Sequence, residues 1–406
     1  MYKSSDYIAV LKNFNFAKLW VSQITSQLTN YILSFAILIK VFEMTDSTLS
    51  VSLIVVAFGI ATLFFGSLAG VYADRFDRRW LLTTVNLCQA GSIAMYFLVG
   101  GDFWGLFMIT FLYSSLNQFY IPAEAPSIPK LVAKEHILIA NSYFAFTNSA
   151  ALIIGFAAAG ALSTSFGQGA PFIIGTLLLI IAGLSTATLP ALKPEVQSKN
   201  PYSLAKVWHE FKEGIDHFWE NKALHYPLMS LVCIQVINGM IITIAPAFMK
   251  EAIGVDFNTG PLYLILPVGL GILLGALTLG YEQRFASKRD LIFAGFFGMG
   301  LSLFALSFIE YFPKPYLYYA VTGFVLGFFN AHIFAPSHSI LQTNAGTALR
   351  GRIYGSLYVL LQIAATLPTV AIGVLADRIS LGTIMAILGC LLVVFGLFTR
   401  PHGKLA

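Results

Sequence analysis

Charge is what this sequence has least of. Only 11% of its 406 residues are Asp, Glu, Lys or Arg, against about 25% in a soluble domain. A water-facing surface cannot be assembled from so few. Cysteine is scarce as well. Cys88, Cys233 and Cys390 sit in separate apolar runs, where a thiol acts as a small hydrophobe, and no disulfide or metal-ligand spacing appears. No polar stretch is long enough to fold as a catalytic domain. No nucleophile with a base and an orienting partner occurs at one depth, which argues against an enzyme and leaves no call for a cofactor. The net charge of +5 is too small to signal nucleic acid. The polar start, Met1 to Asn15, leads into an apolar run too long for a cleaved signal peptide and without a small-residue cleavage site. It is read as a retained first helix.

What is abundant is hydrocarbon: 57% of the residues are hydrophobic and the mean hydropathy is +0.77. The solvent must be lipid. At about 20 residues per crossing, the chain has room for twelve. Apolar runs fall at 17–42, 48–73, 80–100, 103–127, 137–163 and 169–190, then at 223–250, 258–282, 290–311, 315–342, 350–376 and 380–399. The connection between the two sets, 191–222, holds Leu204, Val207, Trp208, Phe211, Ile215, Phe218 and Trp219 on one helical face. That pattern is expected to form an interfacial helix tethering the halves.

Basic residues orient the runs, since cytoplasmic loops hold the excess of Lys and Arg. With both termini inside, only Lys40, Lys250, Lys314 and Arg378 of the 24 lie outside. One miscounted helix would invert every later loop. The halves also repeat. A shift of 209 lays Gly66, Tyr72, Arg75, Phe76 and Arg79 on Gly275, Tyr281, Arg284, Phe285 and Lys288, and a shift of 210 lays Ala125, Pro126 and Ser127 on Ala335, Pro336 and Ser337. The expected fold is therefore an all-α membrane protein with twelve transmembrane helices in two pseudo-symmetric six-helix bundles, 1–190 and 223–406, joined by the linker 191–222. Duplicated halves in parallel orientation are a transporter architecture with its site near the midplane.

The run from Gly70 to Arg79, with Asp74, Arg75 and Arg78, resembles the motif between the second and third helices of the major facilitator superfamily. Asp77 stands where that motif usually has its second glycine. This variant, the opening Asn15, Phe16, Leu19 and Trp20, and the linker run from Trp208 to Gly214 are similar to the drug-exporter and siderophore-exporter branch that contains macrolide efflux proteins. The branch often carries an acid in the middle of the first helix, and Asn30 matches that position, so a carboxylate mechanism there does not carry over. The resemblance implies that Asp74 meets the start of the eleventh helix near Arg350 and Gly351 when the cytoplasmic side is closed, where the positive helix end favours a carboxylate. Gly66 and Gly70 would admit a neighbouring helix. Arg78 or Arg79 is expected to pair with Glu124, completing a conformational latch. The second half has Gln283 in place of Asp74, so it is expected to latch more weakly.

Polar residues recur along single faces. The first crossing has Gln23, Gln27, Asn30 and Ser34; the fourth has Thr110, Tyr113, Asn117 and Gln118; the fifth has Asn141 and Asn148. Gln235 and Asn238 lie on the seventh, Asn330 and His332 on the tenth, and Tyr354, Tyr358, Gln362, Thr366 and Thr369 on the eleventh. Lipid penalises such faces, so they are expected to point inward. Each side chain alone is as well explained by a bond between helices; the set points to a cavity that takes substrate. His332 is either a proton carrier or substrate contact or a neutral imidazole satisfied by one bond. Prolines and glycines at Pro122, Pro126, Pro246, Pro267, Gly269, Gly271, Pro336 and Pro368 are expected to break helices at wet or protein-lined points.

These residues are amides, hydroxyls and rings without a cluster of fixed charge, which disfavours phosphates and polyanions. Together with the branch resemblance they point to export of a lipophilic or amphiphilic small molecule by alternating access, with proton antiport as the coupling to test. Two alternatives stand beside it: a facilitator or importer of a small polar solute, and a receptor without transport. The chain is expected to act as a monomer in the plasma membrane, with both termini cytoplasmic.

Overall fold

The computed structural model describes residues 4–99, 101–194, 212, 222–254, 260–308, 316–344 and 350–399. Those residues form helices and connecting turns, with no strand among them. The helices are α1 (Ser4–Lys12), α2 (Phe14–Thr45), α3 (Thr48–Arg75), α4 (Arg78–Ala94), α5 (Phe103–Asn117), α6 (Tyr120–Glu124), α7 (Ile137–Phe166) and α8 (Ala170–Ala187), then α9 (Lys222–Ala247), α10 (Ile265–Glu282), α11 (Lys288–Ser307), α12 (Tyr316–Asn344), α13 (Arg350–Ala376) and α14 (Leu381–Thr399), with shorter helical turns between. Ten helices among the described residues are long and apolar enough to cross a membrane. The fold is thus an all-α, multi-span membrane fold. At 32 residues, α2 is about 48 Å long, more than the roughly 30 Å of hydrocarbon, so its ends reach beyond the apolar layer or it tilts.

Local chemistry starts the helices where it does. The Asn13 Oδ1 accepts from the backbone N–H groups of Asn15 and Phe16 while its Nδ2 donates to the Leu131 carbonyl at 2.6 Å. Asp77 caps α4, Asp102 caps α5, and Ser287 with Asp290 forms a capping box at α11. Each supplies an acceptor to N–H groups that a helix start leaves open.

The expected fourth crossing, 103–127, is not one helix. After α5 it passes through a turn into α6, a 3-10 turn at Ala125–Ser127 and the short helix Ile128–Leu131. Pro122, Pro126 and Pro129 each remove a helical N–H, and three within eight positions exceed what one helix tolerates. In the eleventh expected crossing, Leu360–Ala376 is apolar but short. The expected amphipathic helix of the linker lies outside the described residues.

The chain divides into two compact units: Met1–Met44 with Ala57–Tyr202, and Thr45–Val56 with Ser203–Ala406. In the first unit a buried cluster joins Phe16 and Leu19 of α2 to Ala73, Leu82, Tyr120, Ala123 and Phe144. Trp20 lies on Tyr143 at 5.2 Å between centroids, and its indole N–H donates to Thr147 Oγ1 at 2.8 Å. Phe16, Leu19 and Trp20, three residues of the opening pattern, thereby pack α2 on α7. In the second unit α12 packs on α10 and α11, and α11 packs on α14. The first turns of α3 belong to that unit and the remainder to the first.

Candidate functional site

Arg78 organises the turn between α3 and α4. Its guanidinium is buried, donating from Nε to the Ala73 carbonyl at 3.2 Å and from Nη1 to the Pro126 carbonyl at 3.4 Å. Asp74 stands 3.8 Å from Arg78 Nη2, with its side chain 66% exposed. Asp77 accepts at Oδ1 from two backbone donors, Arg79 N at 3.1 Å and Leu192 N at 2.9 Å. An acid in place of the usual glycine thus staples this turn to the chain following α8. Arg79 lies over the Trp80 ring at 4.7 Å, and Arg75 is exposed. A side chain added at Gly66 would meet nothing nearer than 3.8 Å, and one at Gly70 nothing within 4 Å. Side chains at the start of α13, where Asp74 was expected to dock, lie outside the described residues.

The expected bridge from Arg78 or Arg79 to Glu124 is not formed. Glu124 is buried on the same helical turn as Tyr120, and its Oε1 has no hydrogen-bond partner among the described residues. Tyr120 in turn meets Ser22 Oγ at 3.2 Å, which accepts from Asn86 Nδ2 at 3.2 Å. The break that produces α6 turns Glu124 into the bundle, and Arg78 takes backbone carbonyls instead.

Of the polar stripes, some side chains are committed to bonds between helices. Gln23 donates to the Phe144 carbonyl at 3.0 Å, Asn117 accepts from Gln89 at 3.3 Å, and Asn148 accepts from the Tyr31 hydroxyl at 3.2 Å. In the second unit Asn330 Nδ2 donates to Asn238 Oδ1 at 2.8 Å, joining α12 to α9. Others remain uncommitted. The side chains of Gln27 and Asn30 on α2, Gln235 on α9 and Gln362 on α13 are half-buried and make no hydrogen bond among the described residues. An amide at membrane depth that bonds no helix needs water or a ligand. The side chain of Tyr358 lies outside the described residues. A groove between α11 and α12, lined by Phe293, Phe297, Leu301, Val321, Val325 and Phe329, contains none of the expected residues.

His332 makes more than the one bond expected of a satisfied neutral imidazole. Both ring nitrogens are occupied: Nδ1 lies 2.8 Å from the Phe328 carbonyl and Nε2 lies 2.6 Å from Glu282 Oε2. Sequence reasoning missed Glu282, because it ends an apolar run and reads as a boundary residue.

Asp377 was missed too. Its Oδ1 accepts from Thr48 N at 2.7 Å, and its Oδ2 from Ser47 Oγ at 2.7 Å and Leu49 N at 3.3 Å. A carboxylate at the positive start of α3 is well placed. A second pair, Lys250 to Asp46 at 2.7 Å, lies in the same unit. A sequence signal existed: Gly70, Val71, Ala73, Asp74 and Arg75 recur as Gly373, Val374, Ala376, Asp377 and Arg378.

Among the described residues the geometry supplies polar groups that bond between helices, a capped helix start and a buried acid and imidazole. The family model described as Major Facilitator Superfamily matches residues 19–367. An uncharacterized MFS-type transporter, YfiS, of Bacillus subtilis (strain 168) is 24% identical over 96% of this chain and 93% of its own. Macrolide efflux protein A of Streptococcus pyogenes is 24% identical over 93% of each. The crystal structure of the nucleoside transporter NupG superposes with a TM-score of 0.74 at 15% identity, over 95% of this chain and 98% of that one. The chain belongs to the Major Facilitator Superfamily, a family of transporters that work by alternating access.

Proposed function

We propose that this protein exports a lipophilic or amphiphilic small molecule. The observation that carries the reading holds in each unit by itself: half-buried, uncharged amides that make no hydrogen bond among the described residues, Gln27 and Asn30 in the first unit and Gln235 and Gln362 in the second. Amides recognise carbonyls, hydroxyls and amines of a largely apolar ligand, and uncharged groups do not select a polyanion. Similarity to macrolide efflux protein A supports the direction and the substrate class.

In this reading twelve crossings form two six-helix bundles, 1–190 and 223–406, with the linker 191–222 and both termini on the cytoplasmic side of the plasma membrane. Asp74 latches the cytoplasmic face, with Gly66, Gly70, Arg75, Arg78 and Arg79 shaping its turn. Asp377, at the start of α3, latches the opposite face. Only one latch is closed in each state.

Everted vesicles from cells expressing the chain test the proposal. Energised vesicles should accumulate a labelled macrolide, and Gln235→Ala with Gln362→Ala should lower uptake about tenfold, as expected for two lost polar contacts. Uptake of a small polar solute in place of the macrolide would establish the importer alternative.

A further inference from the structure

The seam between α10 and α12 brings together a second kind of site. Gly271 and Gly275 on α10 face α12, and Gly323 and Gly327 on α12 face α10. A Cβ on Gly327 would fall 1.9 Å from the Val268 carbonyl, and one on Gly271 2.0 Å from the Phe324 carbonyl. Only glycine permits backbones this close. The approach sets the last residue of α10, Glu282, against His332 of α12 at 2.6 Å.

Hydrogen-bond accounting places a proton there. The Phe328 carbonyl can only accept, so His332 Nδ1 must carry a hydrogen. Nε2 is then a lone pair in the neutral ring or an N–H in the imidazolium. A lone pair facing an ionised carboxylate at 2.6 Å is repulsive, so the contact needs one proton between the two atoms. It sits on Nε2 beside a carboxylate, or on Oε2 of a neutral acid. We propose that the His332 and Glu282 pair is a one-proton binding site and that its proton is the ion exchanged during export. The binding stands on geometry alone; the coupling rests on the export reading above.

Access and release follow from the surroundings. His332 is 3% exposed and Glu282 29%, so the carboxyl is open at the edge of the packed helices while the Phe328 and Phe329 rings, 4.5 and 5.8 Å from the imidazole, cover the ring. Loss of the proton sets a carboxylate against a lone pair and pushes α10 from α12, linking protonation to helix packing. The other titratable groups on the elements packed here are engaged as follows. Lys288 donates to Ser339 at 2.8 Å, Asp290 caps α11, Arg289 lies over the Tyr226 ring and Arg284 over the Tyr281 ring. His338 lies against Phe334, Tyr263 stacks on Tyr316, and Tyr318 donates to the Ala305 carbonyl. Tyr319 is buried, and His225 and Cys233 lie on α9 with Lys222, whose side chain is outside the described residues.

Two measurements test the site. In proteoliposomes with an internal pH dye, a macrolide gradient is imposed and protons and labelled macrolide are followed together. His332→Gln and Glu282→Gln should each lower the ratio of protons to macrolide moved by about tenfold or more, within the range of coupling between sites. An unchanged ratio in both variants overturns the proposal. The second measurement needs no transport: histidine nitrogen NMR of the purified full chain, with the His332→Gln spectrum identifying the ring among seven histidines. Nδ1 should stay protonated while Nε2 changes with pH, and Glu282→Gln should alter that change. An Nε2 signal indifferent to both pH and Glu282→Gln overturns the proposal even if macrolide moves. A ring that titrates with Glu282 in a chain that moves no macrolide sinks the export reading and leaves the proton site standing.

Discussion

Asp74 and Asp377 close two copies of one short pattern, and the structure uses them differently. At Gly373 an added Cβ would fall 2.8 Å from Ser52 Oγ, so the glycine seats the start of α3, and Asp377 then takes two backbone N–H groups and the Ser47 hydroxyl. At Gly70 an added Cβ would meet nothing within 4 Å among the described residues, and Asp74 lies 3.8 Å from Arg78. The pattern is thus a socket for a helix start. Glycine admits the first turn, and aspartate two turns or less away satisfies its open N–H groups.

The largest effect should come from emptying the filled socket. Asp377→Ala removes a cap of about 1 to 2 kcal/mol, a population shift of roughly five- to thirtyfold. In a chain lacking Cys88, Cys233 and Cys390, a Ser50→Cys reporter should be labelled faster by about that factor. Unchanged labelling would mean that the cap does not hold α3 in place. Asp74→Ala should shift the same labelling in the opposite direction while leaving thermal stability within about 0.5 kcal/mol, as for an exposed side chain; a shift in the same direction breaks the idea of opposed latches. Combining Asp74→Ala with Asp377→Ala should bring labelling back toward the starting rate, to within about threefold, and a double variant no different from Asp377→Ala alone would show that Asp74 latches nothing.

Smaller effects sharpen the comparison. Asp77→Gly, which restores the usual glycine of the motif, loses the acceptor for Arg79 N and Leu192 N and should cost about 1 kcal/mol of thermal stability. No loss would assign the staple to Arg78 instead. Asp377→Asn keeps an acceptor of nearly equal capping strength and should change labelling least, by about a few tenths of a kcal/mol; an effect as large as that of alanine would show that charge, rather than the hydrogen bonds, holds the helix start.

Much was legible in one dimension. Composition named lipid as the solvent, because the share of charged residues is a sum that no folding changes. Apolar run lengths placed the spanning helices, because a helix must satisfy its own backbone within each run. The motif around Asp74 pointed to the family that the match to residues 19–367 establishes. Helix continuity was harder to read: the three prolines between Pro122 and Pro129 break the fourth expected crossing, and Glu124 ends up buried without an arginine beside it among the described residues.

Partner choice belonged to the tertiary structure. Asn30 and Asn238 fall within one residue of each other in the repeat, yet Asn238 is bonded to Asn330, 92 positions away, and the Asn30 side chain makes no hydrogen bond among the described residues. Glu282 reads as the end of an apolar run until glycines on two helices bring it to His332. Asp377 caps a helix 329 positions back in the chain. Period and composition report which face of a helix is polar; which group answers it is set by how closely two backbones approach, and that distance is fixed by residues on both helices at once.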